Sequence, residues 1–129
     1  MTSISATQKI DELNSCNQKI ASVTGKTPTL FRAPYGDYDN STIEAAESLG
    51  MYVVQWDVDS LDWKDLSASE ITQRVTKGVG SGSVVLFHNA AKHTPEALPG
   101  IIEYLLSNGY KIVPVSEILL SGKYEIDHA

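Results

Sequence analysis

The strongest constraint on the fold is a regular alternation of capped helices and short apolar runs. Ser5 and Gln8 form a capping-box pair, and Gly25 stops the pattern that follows them. These signals predict a helix over residues 6–23, and the apolar, β-prone run at 29–31 predicts a strand after it. Because apolar strands that alternate with helices are typical of parallel sheets covered by helices, we expect an α/β protein.

The same pattern predicts three further strands, which gives about four in all. Since the chain opens with a helix, we expect another strand upstream of it. The remaining predicted elements are a helix capped by Ser41 that runs through Leu49, a strand at 51–56, a helix opened by the capping-box pair Ser67 and Glu70 that ends near 78–82, a strand at 83–87, a helix with Thr94 as cap and Pro95 as first residue that stops at Asn108 and Gly109, a strand at 111–115, and a short helix at 116–120.

The size of the chain predicts one domain. At 129 residues, with 42% hydrophobic side chains, the chain can bury an ordinary core. We expect one globular unit over residues 1–122 and a loose tail at 123–129. Cys16 falls on the apolar face of the first predicted helix, so we expect a small core residue there rather than a reactive thiol.

Charge and hydropathy exclude two classes of partner. Ten basic and sixteen acidic residues give a net charge of -6, whereas nonspecific nucleic-acid binding needs an excess of Lys and Arg. No run reaches the roughly 18 apolar residues that a membrane-spanning helix requires. We therefore expect neither nucleic acid nor a membrane span.

Ionisable side chains follow the predicted strands at the points where the strands end. Arg32 lies after the first strand, and His88 ends the third. Because the carboxyl ends of parallel strands meet at one rim, these groups are expected to lie together. The acids expected at the same rim, after the second strand, are Asp57, Asp59 and Asp62.

His88 follows four apolar residues, so its backbone should be held firmly. A histidine in such a place is a plain hydrogen-bond partner for a neighbouring loop about as often as it takes part in chemistry. An aspartate partner changes the balance, because it favours the charged imidazole and suits it to donate a proton near neutral pH. Asp62 is the expected partner.

Arg32 opens a loop that could carry chemistry. A partly buried arginine most often forms a structural salt bridge, but here Pro34 fixes the loop and Gly36 permits a tight turn. We expect the backbone N–H of Tyr35 to point into the site. Trp63 is more often a packing residue than a substrate platform, although an exposed indole beside acids can hold a sugar ring.

Three segments together resemble the motifs of the polysaccharide deacetylase family, the NodB-like carbohydrate esterases. Arg-Ala-Pro-Tyr-Gly at 32–36 is similar to its arginine-proline-tyrosine-glycine motif, Asp-Ser-Leu-Asp-Trp at 59–63 to its aspartate-tryptophan motif, and Leu-Phe-His at 86–88 to its leucine-any-histidine motif. Each is weak alone, but three in order are specific. The resemblance extends from the first helix to Leu119 and implies a parallel-stranded partial (β/α) barrel that lacks the first strands of the family's distorted barrel.

The resemblance implies hydrolysis of an acetylated polysaccharide, peptidoglycan- or chitin-like. His88 would protonate the departing sugar amine, Asp62 would tune the proton affinity of His88, and Arg32 would orient the catalytic base. The substrate-binding residues implied are Tyr35, whose N–H would bind the oxyanion, and Trp63 and Leu86, which would wall the acetyl methyl pocket.

The family's earlier motifs have no counterpart in this sequence. The family normally carries Thr-Phe-Asp-Asp, then a His-Ser/Thr-x-x-His pair; here no Asp-Asp dipeptide occurs, and His88 and His93 are five residues apart. The resemblance therefore implies the carboxyl-terminal two-thirds of the domain, inactive alone and without metal ligands, whereas the complete domain would use a zinc-like divalent metal. It also implies an extracellular or cell-envelope location.

Two other functions fit parts of this sequence to different degrees. A metal-free carbohydrate-binding or structural module without turnover is the main alternative. A serine esterase is disfavoured, because the nucleophile elbow G-x-S-x-G is absent. Since an opened barrel exposes strand edges, we also hypothesise self-association through such an edge, or pairing with a further segment.

Overall fold

The structure, a computed structural model, describes residues 1–119. The chain divides into two compact units, Met1–Gln55 and one that begins at Trp56. The tail predicted at 123–129 and the last residue of the helix predicted at 116–120 lie outside the described residues. Within residues 1–119, every helix is too short or too polar to cross a membrane.

The first unit alternates helices with short strands, as an α/β chain should. Its elements in chain order are helix α1 (Ala6–Thr24), strand β1 (Leu30–Phe31), helix α2 (Asn40–Ser48) and strand β2 (Tyr52–Val53). The two strands pair in parallel, with Leu30 opposite Tyr52. The predicted capping box of α1 is confirmed, because the Ser5 hydroxyl accepts from the Gln8 N–H and the Gln8 side chain accepts from the Ser5 N–H.

The core of the first unit lies between α2 and the first half of α1. Its buried members are Leu13, Ala45, Ala46 and Met51. The prediction that Cys16 is a core residue is wrong, because this side chain is exposed, as are Ile20 and Val23 further along the same face. At a rise of about 1.5 Å per residue, α2 is roughly half as long as α1 and cannot cover its second half.

Helix α2 begins at an aspartate rather than at the predicted Ser41 cap. Asp39 is the N-cap, and its carboxylate accepts from the Thr42 N–H at 2.7 Å and from the Thr42 hydroxyl at 2.6 Å. Lys9 of α1 is 1% exposed and donates to the same carboxylate at 2.7 Å. A charged residue thus occupies a buried helical position that periodicity alone would not assign to the core, and it ties α1 to the start of α2.

The second unit repeats the helix and strand alternation. Its elements in chain order are strand β3 (Val58–Asp59), helix α3 (Ala68–Gly78), strand β4 (Val85–Leu86) and helix α4 (Thr94–Ser107), with single helical turns at Asp62–Lys64 and Val115–Glu117. Strands β3 and β4 are parallel, with Val58 opposite Val85. The predicted capping box of Ser67 and Glu70 is confirmed at the start of α3. The α/β class is confirmed in both units.

Helices α3 and α4 pack against each other and form the core of the second unit. The fully or almost fully buried side chains are Ile71 and Val75 from α3 and Ala97 and Ile101 from α4. Helix α4 ends at Asn108 as predicted, but it begins one residue early, with His93 in the cap position and Thr94 inside the helix. The Thr94 hydroxyl does not cap this helix, because it donates to the carboxylate of Asp62.

Two strand predictions need correction. The run at 51–56 was predicted as one strand, but only Tyr52–Val53 pairs with β1, and the chain then pairs with β4 at Val58–Asp59. The run at 111–115 forms no strand, since residues 111–114 join no ladder and Ile112 is 58% exposed. A strand exists only where a partner backbone accepts its hydrogen bonds, and Pro114 has no N–H to offer.

Candidate active site

A buried aspartate and a half-buried histidine form the centre of the site. Asp62 opens the helical turn after β3, and His88 lies two residues beyond the end of β4. The Asp62 side chain is fully buried, whereas 31% of the His88 side chain is exposed. His88 Nδ1 lies 2.8 Å from Asp62 Oδ1, so the predicted pairing of these two residues is present in the structure.

Several further donors surround the Asp62 carboxylate. The His88 backbone N–H lies 3.2 Å from Oδ1 and 3.1 Å from Oδ2, and the Thr94 hydroxyl donates to Oδ2 at 2.6 Å. Burial alone would raise the pKa of Asp62, but the bonds from Thr94, His88 and Ser60 together hold that pKa below its usual value of 3.8. Asp62 is therefore ionised at neutral pH.

The ionised carboxylate decides which ring nitrogen of His88 carries the proton. A carboxylate only accepts hydrogen bonds, so Nδ1 must donate to Asp62 Oδ1. The second ring nitrogen, Nε2, is thereby the one that remains available to exchange a proton. This arrangement suits a histidine that acts as a proton donor, because the aspartate orients the ring.

An exposed indole lies beside the histidine. Trp63 follows Asp62 in the same helical turn and is 56% exposed. Its ring centroid is 6.3 Å from that of His88, with the two planes at 65°. Leu86 is half-buried in β4, opposite Asp59 of β3. The structure thus brings four of the predicted site residues into one unit, at the carboxyl ends of its two strands.

The turn that carries Asp62 and Trp63 is conformationally unusual. Leu61 before it has φ 52°, and Asp65 after it has φ 56°. Non-glycine residues rarely adopt this left-handed region, and such strain concentrates at functional sites. The loop is braced by the Leu61 N–H, which donates to Asp59 Oδ1 at 2.9 Å, and by Arg74 Nε, which donates to the Asp59 carbonyl at 2.7 Å.

Asp57 does not belong to the carboxyl rim where the sequence placed it. Because the predicted second strand is broken, Asp57 precedes β3 instead of following a strand. Its carboxylate accepts from the Ser83 hydroxyl at 2.6 Å and from the Val84 N–H at 2.7 Å. These bonds hold the residues that lead into β4, which gives Asp57 a structural role.

Arg32 and Tyr35 lie in the first unit, directly after β1. Arg32 is exposed, and Tyr35 has φ 59° in a tight turn at Pro34–Gly36, with its side chain fully exposed. The turn is closed by the Gly36 N–H, which donates to the Ala33 carbonyl at 2.9 Å. The Asp37 N–H donates to the Pro34 carbonyl at 3.1 Å and closes the other side of the turn.

Sequence reasoning missed two hydroxyl groups of the site. Thr94 was assigned to a helix cap, and Ser60 was given no role, yet both bond to Asp62 or its backbone. Ser60 precedes Asp62 by two residues, so a local turn could have been suspected. Thr94 is 32 residues away in sequence, and no pattern in the chain links it to Asp62.

The described residues do not fit a metal site. Within residues 1–119, no group of three or more His, Cys, Asp or Glu side chains is arranged to hold a metal ion. His93 instead lies 3.8 Å from Glu96, one helical turn away, and both are solvent-exposed. This agrees with the prediction that His93 is a solvated residue.

Known proteins share both the sequence and the fold. The family described as polysaccharide deacetylase matches residues 1–54. A bifunctional xylanase/xylan deacetylase of Cellvibrio japonicus is 40% identical over 84% of the chain and 16% of its own length, and a peptidoglycan-N-acetylmuramic acid deacetylase of Bacillus subtilis is 33% identical over 92% and 25%. The chain belongs to the polysaccharide deacetylase family. It spans about a quarter or less of the length of these two relatives.

The fold implied by the motifs is confirmed by a solved structure of the family. A family 4 carbohydrate esterase pseudoenzyme from Bacillus anthracis superimposes with a TM-score of 0.84 at 30% identity. The superposition covers 89% of this chain and 41% of that one. Membership of the family therefore includes proteins without turnover, and activity has to be argued from the site itself.

Proposed function

We propose that the chain is the leaving-group side of a polysaccharide deacetylase, which hydrolyses the acetyl amide of a peptidoglycan- or chitin-like glycan. The observation that carries this proposal is the buried Asp62 paired with His88 Nδ1 at 2.8 Å. Amide hydrolysis needs a proton for a poor leaving group, and this pair is built to supply one. Two relatives are named as deacetylases of xylan and of peptidoglycan, which supports a polysaccharide as the substrate.

In this mechanism, the catalytic base takes a proton from water, and the oxygen of that water attacks the acetyl carbonyl to give a tetrahedral intermediate. His88 Nε2 then protonates the sugar nitrogen as the C–N bond breaks, so the products are acetate and a free amine. Asp62 stabilises the imidazolium before the transfer. By the resemblance to the family, the backbone N–H of Tyr35 would bind the oxyanion, and such a donor typically contributes a factor of about 10²–10³ in rate.

The remaining assignments concern orientation and substrate contact. We propose that Arg32 orients the catalytic base, which is not among the residues of this chain. Trp63 and Leu86 would wall the pocket for the acetyl methyl group, since the indole is exposed beside the His88 ring. An apolar wall excludes water from the methyl and leaves the polar amide facing His88.

Metal dependence is proposed for the complete domain only. The described residues offer no site for a metal, so no step of the proposed mechanism uses one. With one of the two proton-transfer partners missing, we propose that the 129-residue chain alone releases no acetate. The same chain extended at its N-terminus by a segment that carries the family's Thr-Phe-Asp-Asp and His-Ser/Thr-x-x-His motifs should be active.

The experiment is acetate release from N-acetylglucosamine oligomers and from peptidoglycan, with and without added Zn²⁺. The extended protein should release acetate, and His88→Gln in it should lower kcat by at least about 10² because the general acid is lost. Thr72→Val, a substitution on α3 outside the site, serves as the control. An extended protein that binds no divalent metal and releases no acetate would overturn the proposal.

A second candidate function is a carbohydrate-binding module without turnover. The likeness to a pseudoenzyme of the family favours it. This function predicts that the 129-residue chain binds chitooligosaccharides with an affinity that EDTA does not change, and that Trp63→Ala weakens binding. Tyr104 on α4 is 40% exposed and has no part in the proposed site, so Tyr104→Ala serves as a matched aromatic control. Calorimetry that detects no binding at millimolar sugar would rule this candidate out.

We also propose that apolar surface which residues 56–119 leave uncovered in the second unit pairs with another copy or with a segment outside this chain. A groove of about 840 Å³ there is lined largely by apolar side chains of β4, α4 and the residues after it. Apolar patches of this kind mark contact surfaces. Light scattering decides the matter for self-association, since a mass equal to one chain at high concentration would refute it.

A further inference from the structure

A buried threonine touches the aspartate of the site from a direction that the mechanism above does not use. Thr94 is the first residue of α4 and is only 8% exposed. Its hydroxyl donates to Asp62 Oδ2 at 2.6 Å, which is shorter than any contact between Asp62 and His88. Because Asp62 is ionised and accepts only, the hydroxyl hydrogen must point at the carboxylate.

The two carboxylate oxygens of Asp62 have different partners. Oδ1 faces His88 Nδ1 at 2.8 Å, and Oδ2 faces the Thr94 hydroxyl at 2.6 Å. The His88 backbone N–H lies almost equally far from both oxygens and so does not favour one orientation. Thr94 and the imidazole thus approach different oxygens, and without Thr94 the carboxylate loses the 2.6 Å partner that fixes Oδ2.

The position of Thr94 is itself fixed by packing. Ala97 and Ile101, one and two turns further along α4, are 2% exposed and pack against Ile71 and Val75 of α3. The start of α4 is therefore anchored in the core of the second unit. A hydroxyl on so rigid an element can hold a partner in one orientation at little entropic cost.

We propose that Thr94 is a positioning residue for the Asp62–His88 pair, which holds Asp62 Oδ1 against Nδ1 and so keeps the proton-donating nitrogen Nε2 facing the substrate. This inference rests on the proposed function for its catalytic meaning. The structural claim stands apart from turnover, because the protonation pattern of the ring can be measured in the chain as it is.

The test is the ¹⁵N spectrum of the His88 ring at a pH where the imidazole is neutral. The unmodified chain should show the Nδ1–H tautomer in large excess. Thr94→Val removes the hydroxyl at nearly constant volume, and the tautomer ratio should fall about tenfold, as the loss of one hydrogen bond to a charged group allows. Thr94→Ser keeps the hydroxyl and should restore the ratio.

Two comparisons separate positioning from simple support of the fold. Thr72→Val removes a hydroxyl that bonds to the Ala68 carbonyl on α3, and it should leave the His88 tautomer unchanged. In an Asp62→Asn background, Thr94→Val should have no further effect on the ring, because Thr94 acts through the carboxylate. A folded Thr94→Val chain with an unchanged tautomer ratio would overturn the inference.

If Thr94→Val fails to fold, Thr94→Ser and Thr94→Ala provide the same contrast with a smaller side chain. An alanine variant that keeps the serine variant's tautomer ratio would also overturn the inference. Failure of the proposed function would give a different result. The extended protein would release no acetate, while the His88 tautomer ratio would still change with substitution of Thr94.

Discussion

The substitution Asp62→Asn tests how the site is built. An amide has one accepting oxygen, whereas Asp62 faces donors on both of its oxygens, His88 Nδ1 at 2.8 Å and the Thr94 hydroxyl at 2.6 Å. Whichever way the amide turns, its NH₂ group replaces one accepting oxygen, so either the Thr94 hydroxyl must turn to accept or His88 Nδ1 must give up its proton. The variant is therefore expected to lose at least one charge-assisted bond.

The cost follows from ordinary magnitudes. A hydrogen bond to a charged group contributes about 1.5–3 kcal/mol, and a buried group left without a partner costs about 1–3 kcal/mol. A neutral amide is easier to bury than a carboxylate, which offsets part of this loss. We expect Asp62→Asn to lower the free energy of unfolding by about 2–4 kcal/mol, a large share of the roughly 5–15 kcal/mol that holds a domain together.

The assay is urea unfolding followed by tryptophan fluorescence, because both tryptophans, Trp56 and Trp63, belong to the second unit. With a urea dependence of about 2 kcal/mol per molar, the midpoint should fall by roughly 1–2 M. Asp65→Asn is the matched control. Asp65 is 68% exposed and pairs with Lys92 only at the surface, so its free energy of unfolding should change by less than about 0.5 kcal/mol.

The pH dependence gives a sharper check. The pKa of Asp62 is lowered in the folded state, so its stabilisation is present above the pKa of the unfolded chain, about 3.9, and is lost as the pH falls through the folded value. The difference between the unmodified chain and Asp62→Asn should therefore be full above about pH 5 and shrink below pH 4. Equal stability of the two proteins at pH 7 would refute the reasoning.

Three further predictions concern the rest of the fold. Ile71→Ala in the core of the second unit should cost about 2–5 kcal/mol in urea unfolding, whereas Val23→Ala on an exposed face should cost less than about 0.5 kcal/mol. The hydrogen bond from Lys9 is the main reason why the pKa of Asp39 is lowered to about 2. In Lys9→Met, carboxyl ¹³C titration should show the pKa of Asp39 rising toward 3.8, and an unchanged midpoint would contradict the ion pair. Tyr35→Gly should raise the thermal midpoint slightly. The left-handed conformation of Tyr35 costs about 1–2 kcal/mol in strain, which glycine avoids, whereas the greater backbone freedom of glycine in the unfolded chain costs about 0.5–1 kcal/mol.

The helices were the part of the fold that could be predicted. Capping boxes are local, so the pairs Ser5 with Gln8 and Ser67 with Glu70 located the starts of α1 and α3 correctly. Strands depend on partners that are distant in sequence, and the two-residue ladders could not be read from apolar runs. Periodicity likewise marked Cys16 as buried, because it cannot show how far a neighbouring helix extends.

The site was predictable to the extent that its chemistry lies at strand ends. The pairing of Asp62 with His88 followed from their positions after neighbouring parallel strands, and the structure places them in contact. Asp57 was misplaced because the strand before it is broken. Thr94 was missed because a hydroxyl at the start of a helix normally caps that helix, and only the three-dimensional packing of α4 directs it to Asp62.

The exposure of Cys16, at first sight only an error of prediction, makes the chain convenient to label. It is the single cysteine in the sequence and lies on α1, so a maleimide dye attaches at one place in the first unit. The indoles meanwhile emit from the second unit alone. One sample thus carries two independent optical reporters, and a denaturant series read at both wavelengths shows directly whether the two halves of the chain melt together or in sequence.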